Sequence, residues 1–111
     1  MKKYIVVTGG AGFVGSNLIE HFLKKTNKKI LSIDNYSSGL KRNHIRHPKV
    51  KYFKVNTKNI SNILSKYKNQ IDSLFHFGEF ARIYKSFKKF DDCFESNSTG
   101  TQAVFKFCLD N

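Results

Sequence analysis

Thr8-Gly9-Gly10-Ala11-Gly12-Phe13-Val14-Gly15 is the stretch that decides the fold of this chain. Gly10, Gly12 and Gly15 satisfy Gly-x-Gly-x-x-Gly, and Gly9, Gly12 and Gly15 satisfy the related Gly-x-x-Gly-x-x-Gly spacing. Either spacing alone is a weak signal, and its setting strengthens it. The run Tyr4-Ile5-Val6-Val7 before it is wholly apolar, as a parallel strand buried on both faces requires. After it, Val14, Leu18 and Phe22 recur at helical spacing, with Ile19 and Leu23 beside them. A glycine loop between a strand and a helix is the setting of a dinucleotide site. One glycine permits the tight turn, a second lets backbone approach a pyrophosphate, and a third lets helix and strand pack closely. The helix N-terminus adds free N–H groups and a partial positive charge. A Walker loop is excluded, because Gly15 is followed by Ser16-Asn17 and not by Lys-Ser/Thr.

Outward from the loop, strand and helix patterns alternate. Lys29 to Asp34 reads as a second strand, and 35–48 as a polar connection. Val50 to Val55 reads as a third strand near an edge, given Lys51 and Lys54. Ile60, Ile63, Leu64 and Tyr67 mark one amphipathic helix, and Asp72 to Phe77 a fourth strand. Two helical stretches follow, about Phe80 to Phe90 and Asp92 to Leu109. In the last, Phe94, Asn97, Thr101, Val104, Phe105 and Cys108 share a face. This alternation predicts an α/β fold of Rossmann type, a parallel sheet in the order 3-2-1-4 with helices on both faces. Asp34 ends the second strand, nineteen residues after Gly15. A carboxylate there accepts hydrogen bonds from adenosine ribose hydroxyls and repels a 2′-phosphate, so the expected cofactor is NAD and not NADP.

The 111 residues suit a single domain, and a composition 40% hydrophobic and 14% aromatic argues against disorder. No apolar run approaches the roughly 20 residues that span a bilayer, so no membrane partner is expected. Cys93 and Cys108 belong to no Cys-x-x-Cys pair and read as free core thiols in a reducing cytoplasm. The four histidines lack metal spacing, and His76 reads as a hydrogen-bonded core residue at a strand end. The net charge of +12 is scattered, with no block of five or six like charges, and lysine dominates. That pattern suits a solvated surface better than a nucleic-acid interface.

Four blocks carry a family resemblance. Thr8 to Ser16 resembles the opening of the extended short-chain dehydrogenase/reductases. Asp34-Asn35-Tyr36-Ser37-Ser38-Gly39 is similar to the second-strand signature of the nucleotide-sugar epimerases and dehydratases in that superfamily. Phe75-His76-Phe77-Gly78 resembles their fourth-strand end, and Asn97-Ser98-Thr99-Gly100-Thr101 their Asn-x-x-Gly-Thr helix. The blocks stand in the family's order over nearly the whole chain. The resemblance implies that Gly9, Gly12 and Gly15 form the pyrophosphate loop, with Phe13 and Val14 offering backbone N–H groups. It implies Asp34 on the ribose, with Asn35, Ser38 and Gly39 near it. Asn56 and Thr57 would lie beside the adenine, where Asn56 replaces the usual Asp but can still accept a hydrogen bond. Phe77, Gly78, Glu79, Phe80 and Ala81 would line the middle of the cofactor, and Asn97 the nicotinamide side. Glu79 stands where the family has a small residue, and it is expected to face solvent or to pair with Arg82 or Lys85.

In the family, the Tyr-x-x-x-Lys acid/base pair and its Ser/Thr helper follow the Asn-x-x-Gly-Thr helix. The resemblance therefore implies no catalytic residue in this chain. It implies the N-terminal part of an NAD-binding domain, without the catalytic segment or the region for the nucleotide-sugar substrate. Tyr84-Lys85-Ser86-Phe87-Lys88 fits Tyr-x-x-x-Lys but precedes Asn97, the wrong order, and reads as a chance match. The family's dimer helices would fall partly in the last two helical stretches, which leaves a homodimer open. The alternatives to an epimerase are a nucleotide-sugar 4,6-dehydratase or reductase of the same family and a stand-alone non-catalytic nucleotide-binding module.

Overall fold

A computed structural model of the chain describes residues 2–36, 40–77 and 100–110. Four strands, β1 (Tyr4–Thr8), β2 (Lys29–Asp34), β3 (Val50–Lys54) and β4 (Ile71–His76), form one sheet in the order β3-β2-β1-β4. All three pairings are parallel. The Rossmann-type α/β topology expected from the sequence is the one observed.

β1 is apolar throughout because its two faces meet two different cores. Val6 packs with Leu31, Ile33, Ile60, Leu64, Val104 and Phe107 on one face. Ile5 and Val7 pack with Ile19 and Ile30 on the other. The period of two sends alternate residues to opposite layers. Each aliphatic side chain removed from water in this way contributes about 2 kcal/mol.

Helix α1 (Phe13–Lys25) covers the second of these faces. Its buried stripe is centred on Gly15 and Ile19, with Phe22 and Leu23 half-buried. Val14, expected on the stripe, is instead 55% exposed. It lies in the first turn, beside the still more exposed Phe13. Lys24 and Lys25 suit the negative end of the helix dipole, and Glu20 pairs with Lys24 at 3.3 Å.

The other face is covered by α2 (Ile60–Leu64) and α3 (Thr101–Asp110). The single amphipathic helix expected over 60–67 is in fact two pieces, α2 and a 3-10 turn at Ser65–Gln70, preceded by another 3-10 turn at Thr57–Asn59. Ile60 and Leu64 still share the buried face. Tyr67 reaches Tyr4 edge-on, with ring centroids 4.9 Å apart. The buried stripe runs through Gly100, just ahead of α3, and through Val104 and Phe107 on it; Val104 is on the expected face, whereas Gly100 and Phe107 each stand one position before the expected Thr101 and Cys108. Cys108 is consequently a free thiol, as expected, but an exposed one and not a core residue.

β3 stops at Lys54, one residue short of expectation, and lies at the sheet edge that Lys51 and Lys54 foretold. β4 begins and ends one residue early. Ile71 pairs with Tyr4 and Ser73 with Ile5, so Asp72 is an extra residue in the ladder. Asp72 turns outward and meets Lys28 at 3.7 Å.

Ser32 sits at the centre of β2, 1% exposed, and its hydroxyl has no hydrogen-bond partner among the described residues. A small residue is needed here, because a Cβ on Gly10 would lie 1.9 Å from Ser32 Oγ. The hydroxyl itself is a cost of about 1 kcal/mol or more. Ser32→Ala should therefore raise stability by about 1 kcal/mol. Urea denaturation checks this, and an unchanged or lower midpoint would contradict it.

Candidate functional site

The carboxyl ends of β1, β2 and β4 converge on the glycine loop. Gly9 donates its N–H to Ile33 O at 2.7 Å, which joins the loop to β2. Gly9 has φ 73, a left-handed backbone that a side chain would strain. Its carbonyl then accepts from Gly12 N at 3.0 Å and closes the turn. Gly15, in the first turn of α1, lies against that turn. A Cβ there would stand 2.1 Å from Gly9 O and 2.9 Å from Gly10 Cα.

Gly12 behaves differently. Its backbone is extended (φ −85, ψ 177), and among the described residues a Cβ would meet Gly9 O alone within 4 Å, at 3.3 Å. That contact is tight and would ask Gly9 O to give by a few tenths of an ångström, so the protein's own need for glycine is much weaker here than at Gly15. Gly12 is also the N-cap of α1 and offers no side chain to cap it. Ser16 Oγ and Asn17 Nδ2 both donate to Phe13 O, at 3.1 and 2.8 Å, and so add donors rather than a cap at this helix end. No acidic residue occupies the first turn. Phe13 is 82% exposed. Among the described residues no side chain caps the start of α1, and free donors at a helix end are the chemistry a pyrophosphate needs.

Asp34 is 8% exposed at the end of β2. Oδ2 accepts from Ala11 N at 3.0 Å and Oδ1 from Tyr36 N at 2.7 Å. The carboxylate therefore ties the glycine loop to the chain leaving β2, and each oxygen keeps a further lone pair for an incoming hydroxyl. Ala11 is held on its other side as well. Its carbonyl accepts from Leu40 N at 3.0 Å and from Asn43 Nδ2 at 2.8 Å. Asn43 is a contributor that the sequence did not signal, since it lies in an undistinguished polar stretch.

Beyond Asp34, three rings lie together. Tyr36 Oη and His44 Nε2 are 2.5 Å apart, and His44 stacks on Tyr52 with centroids 3.8 Å apart and 10° between planes. Tyr52 Oη accepts from Ile45 N at 2.8 Å. Burial, with Lys41 nearby, holds the His44 imidazole below its usual range, and Asp34 opposes this. Burial also lifts the Tyr36 phenol, helped by Asp34 and Tyr52. Burial likewise lifts Tyr52, against the Ile45 N–H. At neutral pH the phenols keep their protons and the imidazole is neutral, so the Tyr36 hydroxyl can donate to Nε2.

Phe77 stands beside the loop, 42% exposed. Its N–H reaches both Thr8 O at 3.1 Å and Thr8 Oγ1 at 2.9 Å. His76 bonds Thr8 Oγ1 through Nδ1 at 2.6 Å and Thr101 Oγ1 through Nε2 at 3.0 Å. It is the hydrogen-bonded histidine expected at a strand end, and it links β1, β4 and α3. At the end of β3, Asn56 caps the next turn, its side chain accepting from Lys58 N at 3.2 Å, and Thr57 is 6% exposed. Asn35 directly follows Asp34. The structure thus gathers Gly9, Gly12, Phe13, Val14, Gly15, Asp34 and Phe77 at one end of the sheet, with Asn56 and Thr57 at the same end of β3. Ser38, Gly39, Gly78, Glu79, Phe80, Ala81, Asn97 and Cys93 lie outside the described residues, as do Tyr84, Lys88 and the stretch about 80–90. Among the described residues no helix is long and apolar enough to cross a membrane.

Residues 5–111 match the family model described as NAD dependent epimerase/dehydratase family. The chain is 30% identical to the UDP-N-acetyl-alpha-D-glucosaminuronate decarboxylase of Bacillus cytotoxicus, over 98% of this chain and 34% of that protein. It is 24% identical to the UDP-glucose 4-epimerase of Streptococcus mutans, over 86% of this chain and 29% of that one. Among solved structures it resembles the Bordetella bronchiseptica enzyme WbmF in complex with NAD+. The TM-score is 0.86 at 26% identity, covering 96% of this chain and 32% of WbmF. The chain spans about a third of the length of the relatives it matches.

Proposed function

Because this chain belongs to the NAD dependent epimerase/dehydratase family, we propose that it is the NAD-binding part of a nucleotide-sugar epimerase resembling the UDP-glucose 4-epimerases. The pyrophosphate lies over Gly12 against the N–H groups of Phe13 and Val14. The adenosine ribose hydroxyls take the remaining lone pairs of Asp34, and the adenine lies toward Asn56 and Thr57. Asn35, Ser38 and Gly39 complete the adenosine side. Phe77, Gly78, Glu79, Phe80 and Ala81 follow the middle of the cofactor, and Asn97 the nicotinamide end. NAD, when bound, takes and returns a hydride. The residues of this chain bind and orient it, and the acid/base groups for turnover belong to the longer parent protein. The 4,6-dehydratases and decarboxylases of the family differ in their sugar chemistry and would use the same cofactor cradle. A stand-alone nucleotide-binding module is the second reading.

The observation that carries this proposal is the contrast between Gly12 and Gly15. The fold needs Gly15 far more than Gly12, and at a helix end with no side-chain cap among the described residues a glycine at 12 is accounted for by a ligand that must come close to the backbone. Gly12→Ala should cost no more than about 1 kcal/mol of stability, most of it from the poorer N-cap. The same methyl group should weaken NAD binding about 30-fold, by obstructing a charge-assisted contact of about 2 kcal/mol. Calorimetric titration of NAD into both proteins tests this. Equal affinities, or no binding by the unsubstituted chain, would overturn it.

A further inference from the structure

Asp34 does not reach its position by β2 alone. The residue two beyond it, Tyr36, has φ 63 without being a glycine. A left-handed backbone at a residue with a Cβ is strained and persists only where its surroundings hold it. Among the described residues, two contacts hold Tyr36. Its N–H is bonded to Asp34 Oδ1, and its hydroxyl lies on His44 Nε2. His44 is in turn stacked on Tyr52, a β3 residue paired with Ser32 of β2, and Tyr52 is fixed by Ile45 N. The charged groups nearest this clasp are Asp34 and Lys41.

We propose that Tyr36 is a positioning residue for the cofactor: anchored by His44 and Tyr52, its strained backbone aims the Asp34 carboxylate at the adenosine ribose. The inference rests on the NAD reading and deepens it. Without the anchor, the turn relaxes toward φ below zero and its N–H leaves Oδ1. Asp34 then keeps only the Ala11 bond and can rotate about it. Binding loses pre-organisation at the ribose, while the hydrophobic layers are untouched.

Tyr36→Phe removes the anchor and little else. NAD affinity should fall about fivefold, the equivalent of one neutral hydrogen bond. His44→Ala should produce a similar loss, and the double variant no more than the larger single loss, because both act through one contact. The decisive ligand is 2′-deoxyadenosine NAD, which lacks a ribose hydroxyl for Asp34 to hold. With it, the Tyr36→Phe penalty should shrink to less than about twofold, whereas general loosening of the protein would leave the penalty unchanged. Undiminished NAD affinity in Tyr36→Phe, or an equal loss with the deoxy analogue, overturns the positioning role and leaves the NAD reading intact. An unsubstituted chain that binds no NAD overturns both.

Discussion

Gly15→Ala is expected to be the most damaging single substitution in the described part of the chain. Its methyl group would stand 2.1 Å from Gly9 O, 2.8 Å from Gly9 C and 2.9 Å from Gly10 Cα. All three are backbone atoms, so no rotamer change relieves the clash. Gly9 cannot retreat, because it is bonded to Ile33 O and holds Gly12 N. The start of α1 must therefore lift off β1, and that uncovers the layer built on Val7, Ile19 and Ile30. The expected cost is at least about 3 kcal/mol, the upper range for overpacking combined with lost burial. For a domain of this size that is a fall in melting temperature of about 15 °C. Thermal unfolding followed by circular dichroism checks it, and a midpoint within a few degrees of the unsubstituted chain would refute the packing described. The contrast with Gly12→Ala is the instructive part. On the proposed reading, two glycines three positions apart would serve opposite purposes, one for the protein and one for its ligand.

Asp34→Ala should carry the second large effect, and on two readouts together. Two backbone donors, Ala11 N and Tyr36 N, lose a charged acceptor at a site where Asp34 is 8% exposed. Hydrogen bonds to charged groups contribute about 1.5–3 kcal/mol each, so a stability loss of about 3 kcal/mol is expected after partial rehydration. NAD affinity should fall about 100-fold, from the missing ribose contacts and the loosened loop. Asp34→Asn sharpens the measurement. It retains one acceptor oxygen, so stability should recover in part while NAD affinity stays low. Denaturation and NAD titration of both variants decide this. A destabilised Asp34→Ala chain with normal NAD affinity would make Asp34 a structural brace only.

The β1–loop–α1–β2 unit was legible in the sequence because its signals are local: an apolar run, spaced glycines, a 3.6-residue stripe and an acidic strand end. The order β3-β2-β1-β4 followed from alternation and the handedness of crossovers. What escaped notice depends on contacts between distant residues. Tyr36, His44 and Tyr52 looked like ordinary members of a polar connection and an edge strand, and only the fold stacks them beside Asp34. Asp34 was read as a ligand residue, while its bond to Ala11, 23 positions away, was invisible. Val104 holds its expected place on the last helix, but Phe107 is buried where Cys108 was expected, because the end of a helical stripe read without its neighbours can be set one position off. Asp72 concealed the start of β4, since a bulged polar residue resembles the end of a strand.

The sheet order also bears on the time course of folding. β1 pairs with β2 about 25 positions away, but its other partner, β4, lies 67 or more positions along the chain. Thr8 is further tied through His76 to Thr101. Closing such long loops delays the contacts that depend on them, so parallel sheets of this kind fold slowly for their size. During synthesis β1 emerges first, yet one of its edges stays open until β4 has been made. The strand at the centre of the finished sheet is thus the one longest exposed to wrong partners, and early pairing with β2 is its main protection.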